Sequence, residues 1–304
     1  MTQLILLGTS CMMPTKNRNV SSFYLEFKGE GLLFDCGEGT QRQMSIAGIN
    51  KNKVTKCFIS HWHGDHVSGL IGLVQTINSV SDENNPKKLE IYGPTGTKER
   101  FGYMLKTVYF DNRLIIKVHD INAPKLKTVF TNDNYSIKAI NVDHGIPAVG
   151  YRFEEHDRRR ISVSKIKKLA IPDGPLLGKL QKGDSITWKG KKYNSDDLTY
   201  IVSGKKCAFI LDTAYTKNTI ELAQNADIVL CEATYVESEL EKGEKHNHLT
   251  ALQAAQIASS ANAKKLIMTH FSQRYTDVSV FEEEARKVFP ESYAGFDFMK
   301  VKLL

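Results

Sequence analysis

The sequence predicts an α/β fold in which two β-sheets pack face to face with helices outside them. Two observations predict it. Short apolar runs rich in β-branched and aromatic residues recur in both halves of the chain, and longer runs with a helical period lie between them. The chain carries no internal repeat and no low-complexity tract.

In chain order, Leu4–Leu7, Ser22–Phe27, Leu32–Asp35 and Lys56–Ser60 read as strands and Val67–Asn78 as a helix. Leu89–Tyr92, Leu114–His119, Lys127–Phe130 and Tyr135–Val142 read as strands again. Thr199–Ser203, Ala208–Leu211, Ile228–Cys231, Lys265–Thr269 and Phe298–Leu303 continue the strand pattern, with helices at Thr216–Gln224, Thr250–Asn262 and Val278–Val288. These readings rest on period and on β-branched content. They give a single domain over residues 1–304 with one compositional break. That break, residues 152–183, is rich in Lys and Arg and carries Pro172, Gly174, Pro175, Gly178 and Gly183. Its helical signal is short and its turn residues are many, so it reads as an inserted arm.

Composition bounds the function. The 304 residues are 41% hydrophobic and 25% charged, ordinary for a globular chain with a large core. No apolar run approaches the ~20 residues of a membrane span. Leu4–Leu7 is too short for a signal-peptide core and lacks a basic segment before it, so a soluble, cytoplasmic protein with no membrane partner is expected. The five cysteines, Cys11, Cys36, Cys57, Cys207 and Cys231, include no C-x-x-C pair. They read as small buried hydrophobes in a reducing compartment. Arg152 to Lys192 holds twelve Lys or Arg against five Asp or Glu, which is the whole net charge of +7. A concentrated basic segment on a neutral body suggests a polyanion-binding arm.

The strongest motif is His61-Trp62-His63-Gly64-Asp65-His66 after the strand Lys56–Ser60. On a helix, His61 and His63 would point to different faces, whereas on a loop after a strand they can converge. Imidazole and carboxylate are good zinc ligands, and Gly64 gives the backbone freedom to turn. Six residues cannot close two metal sites, so further ligands are expected at other strand ends. His144, Asp212 and His270 each follow an apolar run.

This order, H-x-H-x-D-H, then a lone His, an Asp after a strand and a lone His, resembles the metallo-β-lactamase superfamily over nearly the whole chain outside the basic insertion. The resemblance implies a metallo-β-lactamase αβ/βα four-layer sandwich with an inserted flexible arm, and two zinc ions per subunit. By that resemblance His61, His63 and His144 hold one ion, Asp65, His66 and His270 the other, and Asp212 bridges them. Leu211 stands where the superfamily has Gly. Two divalent ions ~3.5–4 Å apart can clamp the attacking and leaving oxygens of a phosphodiester displacement.

Three further segments resemble the ribonuclease Z family. Pro14-Thr15-Lys16-Asn17-Arg18-Asn19 is similar to its P-x-K-x-R-N loop, which makes Pro14, Lys16, Arg18 and Asn19 candidate contacts for the acceptor end of tRNA. Glu232 in Cys231-Glu232-Ala233-Thr234 and His248 in His248-Leu249-Thr250 resemble the family's proton-passing pair, with Cys231 and Leu249 departing from its pattern. Asp65, Glu232 and His248 are thus the candidate catalytic groups. Gly174, Pro175, Gly178 and Lys179 resemble the glycine–proline motif of the family's flexible arm, on which Arg158, Arg159, Arg160, Lys165, Lys167 and Lys168 supply phosphate contacts. The Phe34–Gln43 segment, with Gly37 and Gly39, reads either as a structural strand-to-helix turn or as a phosphate-holding helix start.

The resemblance implies a zinc-dependent endoribonuclease that removes the 3′ trailer of precursor tRNA, acting as a homodimer. A small-molecule ester or phosphodiester hydrolase of the same fold is the alternative, and it would need neither the Lys16 loop nor the arm. A non-catalytic RNA-binding protein would have lost ligands, and all seven positions are filled.

Overall fold

The computed structural model describes residues 2–109 and 111–303. Two seven-stranded sheets face each other. The first runs in the order Lys300–Leu303, Thr2–Gly8, Ser22–Phe27, Glu30–Phe34, Val54–Phe58, Lys88–Pro94, Ile115–Ile121. The second runs Ser292–Ala294, Leu266–Thr269, Ile228–Glu232, Lys206–Ile210, Pro147–Glu155, Tyr135–Asp143, Lys127–Thr131. Between them lies one apolar layer built from both inner faces. Phe34 stacks on Phe209 across the interface with ring centroids 3.6 Å apart, and Phe58 packs on Tyr151. Helices Thr40–Ile46, Leu70–Asn78 and Thr97–Leu105 cover the outer face of the first sheet. Lys217–Ala223, Ala251–Ser260 and Ser279–Arg286 cover that of the second. The result is the expected αβ/βα sandwich.

Strand direction decides where the chemistry collects. Lys206–Ile210, Ile228–Glu232 and Leu266–Thr269 are parallel. Tyr135–Asp143 runs the same way, because it and Lys206–Ile210 are each antiparallel to Pro147–Glu155. The carboxyl ends of all four therefore open on one edge of the second sheet. There they meet the loop leaving Val54–Phe58 of the first.

Two elements differ from the sequence expectation for identifiable reasons. Pro147–Glu155 is a full central strand that was not expected. Its Gly150 weakens the strand signal, and it is glycine because a Cβ there would stand 2.4 Å from Leu222 of the covering helix. The expected helix Val67–Asn78 is broken after Val67 and resumes at Leu70. The break falls at Gly69, whose Cβ would lie 2.1 Å from the Gly37 carbonyl.

The basic insertion differs in extent. Arg152 to Glu155 complete the central strand, and Arg152 is 4% exposed, with Nη1 donating to the Leu222 carbonyl at 2.8 Å. Thr199–Val202 leaves the expected body and pairs with Arg158–Ile161 as a two-stranded stalk. Between the stalk strands come helices Val163–Leu169 and Pro175–Lys182, then a hairpin of Ile186–Trp188 and Lys191–Tyr193. Ile166, Ile171, Leu180, Ile186 and Leu198 form a small core belonging to this unit alone. Residues 156–205 thus gather around a small core of their own, whereas Arg152 to Glu155 of the expected 152–183 belong to the central strand.

Candidate metal centre

His61, His63, Asp65, His66, His144, Asp212 and His270 all reach one edge pocket. Ligand atoms of His61, His63, His144 and Asp212 lie within 4.8 Å of one another, and so do those of Asp65, His66 and His270. Asp212 stands between the two groups. Its Oδ2 is 3.6 Å from His61 Nε2 and 3.7 Å from His144 Nε2, and its Oδ1 is 3.5 Å from His66 Nε2 and 3.3 Å from His270 Nε2.

The tautomers are fixed from behind. Ser60 Oγ holds His61 Nδ1 at 3.0 Å and Asp35 Oδ2 holds His66 Nδ1 at 2.6 Å. The Asn247 carbonyl accepts from His144 Nδ1 at 3.1 Å, and Thr234 Oγ1 meets His270 Nδ1 at 3.0 Å. Each of these rings therefore turns Nε2 inward, the arrangement that orients metal-ligating imidazoles. Their lone pairs then crowd one another. His61 Nε2 lies 3.0 Å and His144 Nε2 3.2 Å from His63 Nδ1, and His66 Nε2 lies 3.3 Å from His270 Nε2.

Charge tells the same story. Burial and neighbouring imidazoles push His61 and His63 below the usual range, leaving them neutral and able to ligate. Burial is the largest single influence on His66 and His270 and opposes their charge, but Asp212 with Asp35 and Asp65 at His66, and Asp212 with Cys11 and Asp65 at His270, together drive both up. Asp212 Oδ1 is buried with no hydrogen-bond partner among the described residues. Such an atom is costly unless a cation or proton meets it. Five imidazoles and two carboxylates with acceptors facing inward fit divalent metal of the nitrogen- and oxygen-preferring kind.

The backbone is bent to achieve this. Asp35, Asp212 and His270 all have positive φ, at 53°, 20° and 61°. Such outliers cost roughly 1–3 kcal/mol each and cluster at functional sites. Gly64, by contrast, simply starts the short helix Gly64–Val67. The glycine that the site loop requires is Gly37, whose Cβ would sit 2.2 Å from the Asp65 carbonyl.

Glu232 and His248 also meet. His248 Nδ1 lies 3.0 Å from Glu232 Oε1, and Glu232 accepts from Thr213 N–H and Thr234 Oγ1, each at 2.7 Å. Burial disfavours both charges, yet the pair overrides it: Glu232 is held low and His248 raised. His248 lies within ligand distance of Asp212 and His270, so it flanks the cluster with Nε2 left over.

The loop Pro14–Asn19 lies over this edge. Met12 N–H donates to Asp65 Oδ2 at 2.8 Å. Lys16 is exposed, whereas Arg18 turns inward, donating through Nη2 to the Tyr275 carbonyl at 2.8 Å. Asn19 Nδ2 donates to the Glu38 carbonyl at 2.7 Å. Beside His63 a cavity of about 270 Å³ opens between Trp62, Thr95, Arg100, Ile146 and Pro147.

Sequence reasoning missed Asp35, Ser60 and Thr234, which hold the ligands from behind. A polar residue closing a strand was the only signal available. The candidate arm residues lie on the unit of residues 156–205, and none is among the gathered ligand groups. Gly174 caps Pro175–Lys182 there with proline at the first turn. Arg158 pairs with Glu155 at 2.8 Å, Arg159 with Asp196 at 2.5 Å, and Lys165 donates to the Asp197 carbonyl at 2.7 Å. Among the described residues Arg160, Lys167, Lys168 and Lys179 have no carboxylate within ion-pair distance, and neither do Lys189, Lys191 and Lys192 on the hairpin.

Comparison with known proteins follows the same lines. The family model of the anti-Pycsar protein Apyc1 matches residues 2–156, and that of the beta-lactamase superfamily domain matches residues 180–271. A ribonuclease Z of Microcystis aeruginosa is 38% identical over 307 residues, covering 98% of this chain and 95% of its own. A ribonuclease Z of Methanothermobacter thermautotrophicus is 37% identical over 304 residues, covering 100% and 97%. The crystal structure of the short form of human tRNase Z superposes with a TM-score of 0.73 at 26% identity, covering 99% of each chain. Identity above one third, sustained from one end of the chain to the other, shows that the chain belongs to the ribonuclease Z family of endoribonucleases.

Proposed function

We propose that the protein is a zinc-dependent endoribonuclease that cuts precursor tRNA after the discriminator nucleotide. The products are a tRNA with a 3′-hydroxyl and a trailer with a 5′-phosphate. One observation carries the reading: the loop bearing Lys16 is hydrogen-bonded through Met12 N–H to Asp65 of the ligand cluster, so a phosphate contact and the cluster share one edge.

His61, His63 and His144 would hold one divalent ion, Asp65, His66 and His270 a second, with Asp212 between them. When bound, such a pair acidifies water and neutralises charge on a phosphoryl group. The protein's own groups do the rest. Asp65 orients the attacking water and accepts its proton. Water oxygen bonds to phosphorus as the bond to the ribose 3′-oxygen breaks. His248 Nε2 delivers the proton that this oxygen needs, and Glu232 restrains the ring through Nδ1. Lys16 steadies the flanking phosphates, and the arm grips the duplex far from the cut. A homodimer, with each arm serving the neighbour's substrate, completes the reading. No helix among the described residues is long and apolar enough to cross a membrane.

Incubating the protein with an end-labelled precursor, with and without chelator, tests the reading. A single cut after the discriminator nucleotide, lost on chelation, is expected. The alternative is a small-molecule ester or phosphodiester hydrolase of the same fold. Turnover of bis-p-nitrophenyl phosphate with no cut in the precursor would decide for it.

The arm makes its own prediction. Lys167, Lys168 and Lys179 have no carboxylate partner among the described residues, so replacing all three by alanine should flatten the salt dependence of precursor binding. On a duplex each lost phosphate contact is worth about 0.9 in the slope of log K against log salt. Arg159→Ala, which breaks the pair with Asp196, should chiefly lower the arm's thermal stability. An unchanged salt slope in the triple variant would remove the arm from RNA binding.

A further inference from the structure

We infer that Asp297 is the positioning residue of the RNA-contacting loop, a carboxylate that closes residues 9–19 from both ends. The inference rests on the proposed role of that loop in binding the acceptor end.

Asp297 lies near the end of the chain, between the strands Ser292–Ala294 and Lys300–Leu303. Its Oδ1 accepts from Thr9 Oγ1 at 2.8 Å, and its Oδ2 accepts from the Asn19 backbone N–H at 2.7 Å. Thr9 opens the loop and Asn19 ends it. A third donor, Gln43 Nε2, reaches Oδ2 at 3.0 Å while also donating to the Leu7 carbonyl at 2.7 Å. One side chain thus ties the strand end before the loop, the far end of the loop and the helix Thr40–Ile46 together. Within the loop Ser10 N–H donates to the Asn19 carbonyl and Thr15 N–H to the Arg18 carbonyl, each at 2.8 Å, while Cys11 N–H reaches the Phe271 carbonyl at 3.0 Å. The Arg18 and Asn19 side chains reach the Tyr275 and Glu38 carbonyls. Among these anchors Asp297 is the one that binds both ends of the loop at once. At its near end Met12 N–H reaches Asp65, with Met12 held at a φ of 65°. A non-glycine residue stays in that region only where its surroundings over-determine it. Asp297 supplies that constraint at the loop's base. It also fixes the offset between exposed Lys16 and the ligand cluster. The three side-chain and backbone donors are neutral, and the nearby Arg18 guanidinium favours the charged carboxylate.

Burial pushes the Asp297 carboxyl up to about 6, against the hydrogen bonds from Asn19 and Thr9. Assays at pH 8 therefore keep it ionised. The test uses the full-length protein carrying Asp297→Ala, Asp297→Asn and Thr9→Val. The last is nearly isosteric and removes one of the bonds without touching Asp297. Amide exchange of the peptide covering residues 9–19 should rise roughly tenfold in Asp297→Ala, the loss of about one charge-assisted bond. Exchange in the sheets should stay as it was. The KM for precursor tRNA should rise about tenfold with kcat within about twofold. Asp297→Asn, which keeps one acceptor, and Thr9→Val should fall between wild type and Asp297→Ala. Unchanged exchange over residues 9–19 overturns the inference. So does a fall in kcat with KM unchanged, which would place the effect on the ligand cluster. If wild-type protein leaves precursor tRNA uncut, the substrate reading fails, and the exchange measurement still decides for or against the clasp.

Discussion

Asp212→Ala is expected to lower precursor cleavage by at least about a thousandfold and to strip the protein of divalent metal. The expectation follows from position. Among the described carboxylates Asp212 alone stands within 3.7 Å of imidazoles from both ligand groups. Its loss leaves His61, His63 and His144 without their carboxylate and only Asp65 against Nε2 of His66 and His270. Asp65→Ala removes one edge ligand only, so it should release one of two ions while also freeing Met12 N–H. Metal content per chain, read by mass spectrometry beside single-turnover cleavage, separates the two variants. About two ions in the wild type, one in Asp65→Ala and none in Asp212→Ala is the expected series. Full cleavage by Asp212→Ala, or by wild type after exhaustive chelation, would end the metal-assisted mechanism.

The ligands were legible in sequence because His144, Asp212 and His270 follow strand ends and His61–His66 form one dense motif after Val54–Phe58, and parallel strands deliver their ends to one edge. Ser22–Phe27 is where the period predicted it, and His144, Asp212 and His270 sit just past strands expected within a few residues. What was hidden depends on tertiary approach. Gly150 disguised a central strand because its reason is a leucine on a helix some seventy residues later. Gly37 looked like turn chemistry, yet its freedom from a Cβ serves the Asp65 carbonyl. Arg18 read as a phosphate contact beside Lys16, but its guanidinium is spent on carbonyls from the segment after His270. Asp35 carries no pattern of its own. Only the 2.6 Å contact with His66 Nδ1 reveals that it orients a ligand. The arm was visible by its charge and its turn residues, and neither could show that its stalk uses Thr199–Val202, a strand that the period assigned to the body.

His248→Ala is expected to cut kcat by about 10²–10⁴-fold, the range for removing a positioned general acid, with KM for the precursor little changed. His248 is mostly buried, and its Nδ1 is held by Glu232, so Nε2 is the free position that can face substrate. Glu232→Gln should act through the same ring. The carboxylate raises the His248 pKa against burial, so the imidazolium persists to higher pH. If the protonated ring is the donor, activity is full below its pKa and falls as pH rises through it. Removing the carboxylate lowers that pKa, and the alkaline fall should move to lower pH in Glu232→Gln. The glutamine oxygen can keep the bond from Thr213 N–H on the Oε1 side, and the amide in place of Oε2 can donate to Thr234 Oγ1, so the fold should survive the change. A trailer carrying a better leaving group than ribose, such as a p-nitrophenyl ester, needs no donated proton. His248→Ala should therefore recover most of its rate on that substrate. Equal losses on both would mean that His248 serves the cluster as a ligand beside Asp212 and His270, the other place its geometry allows.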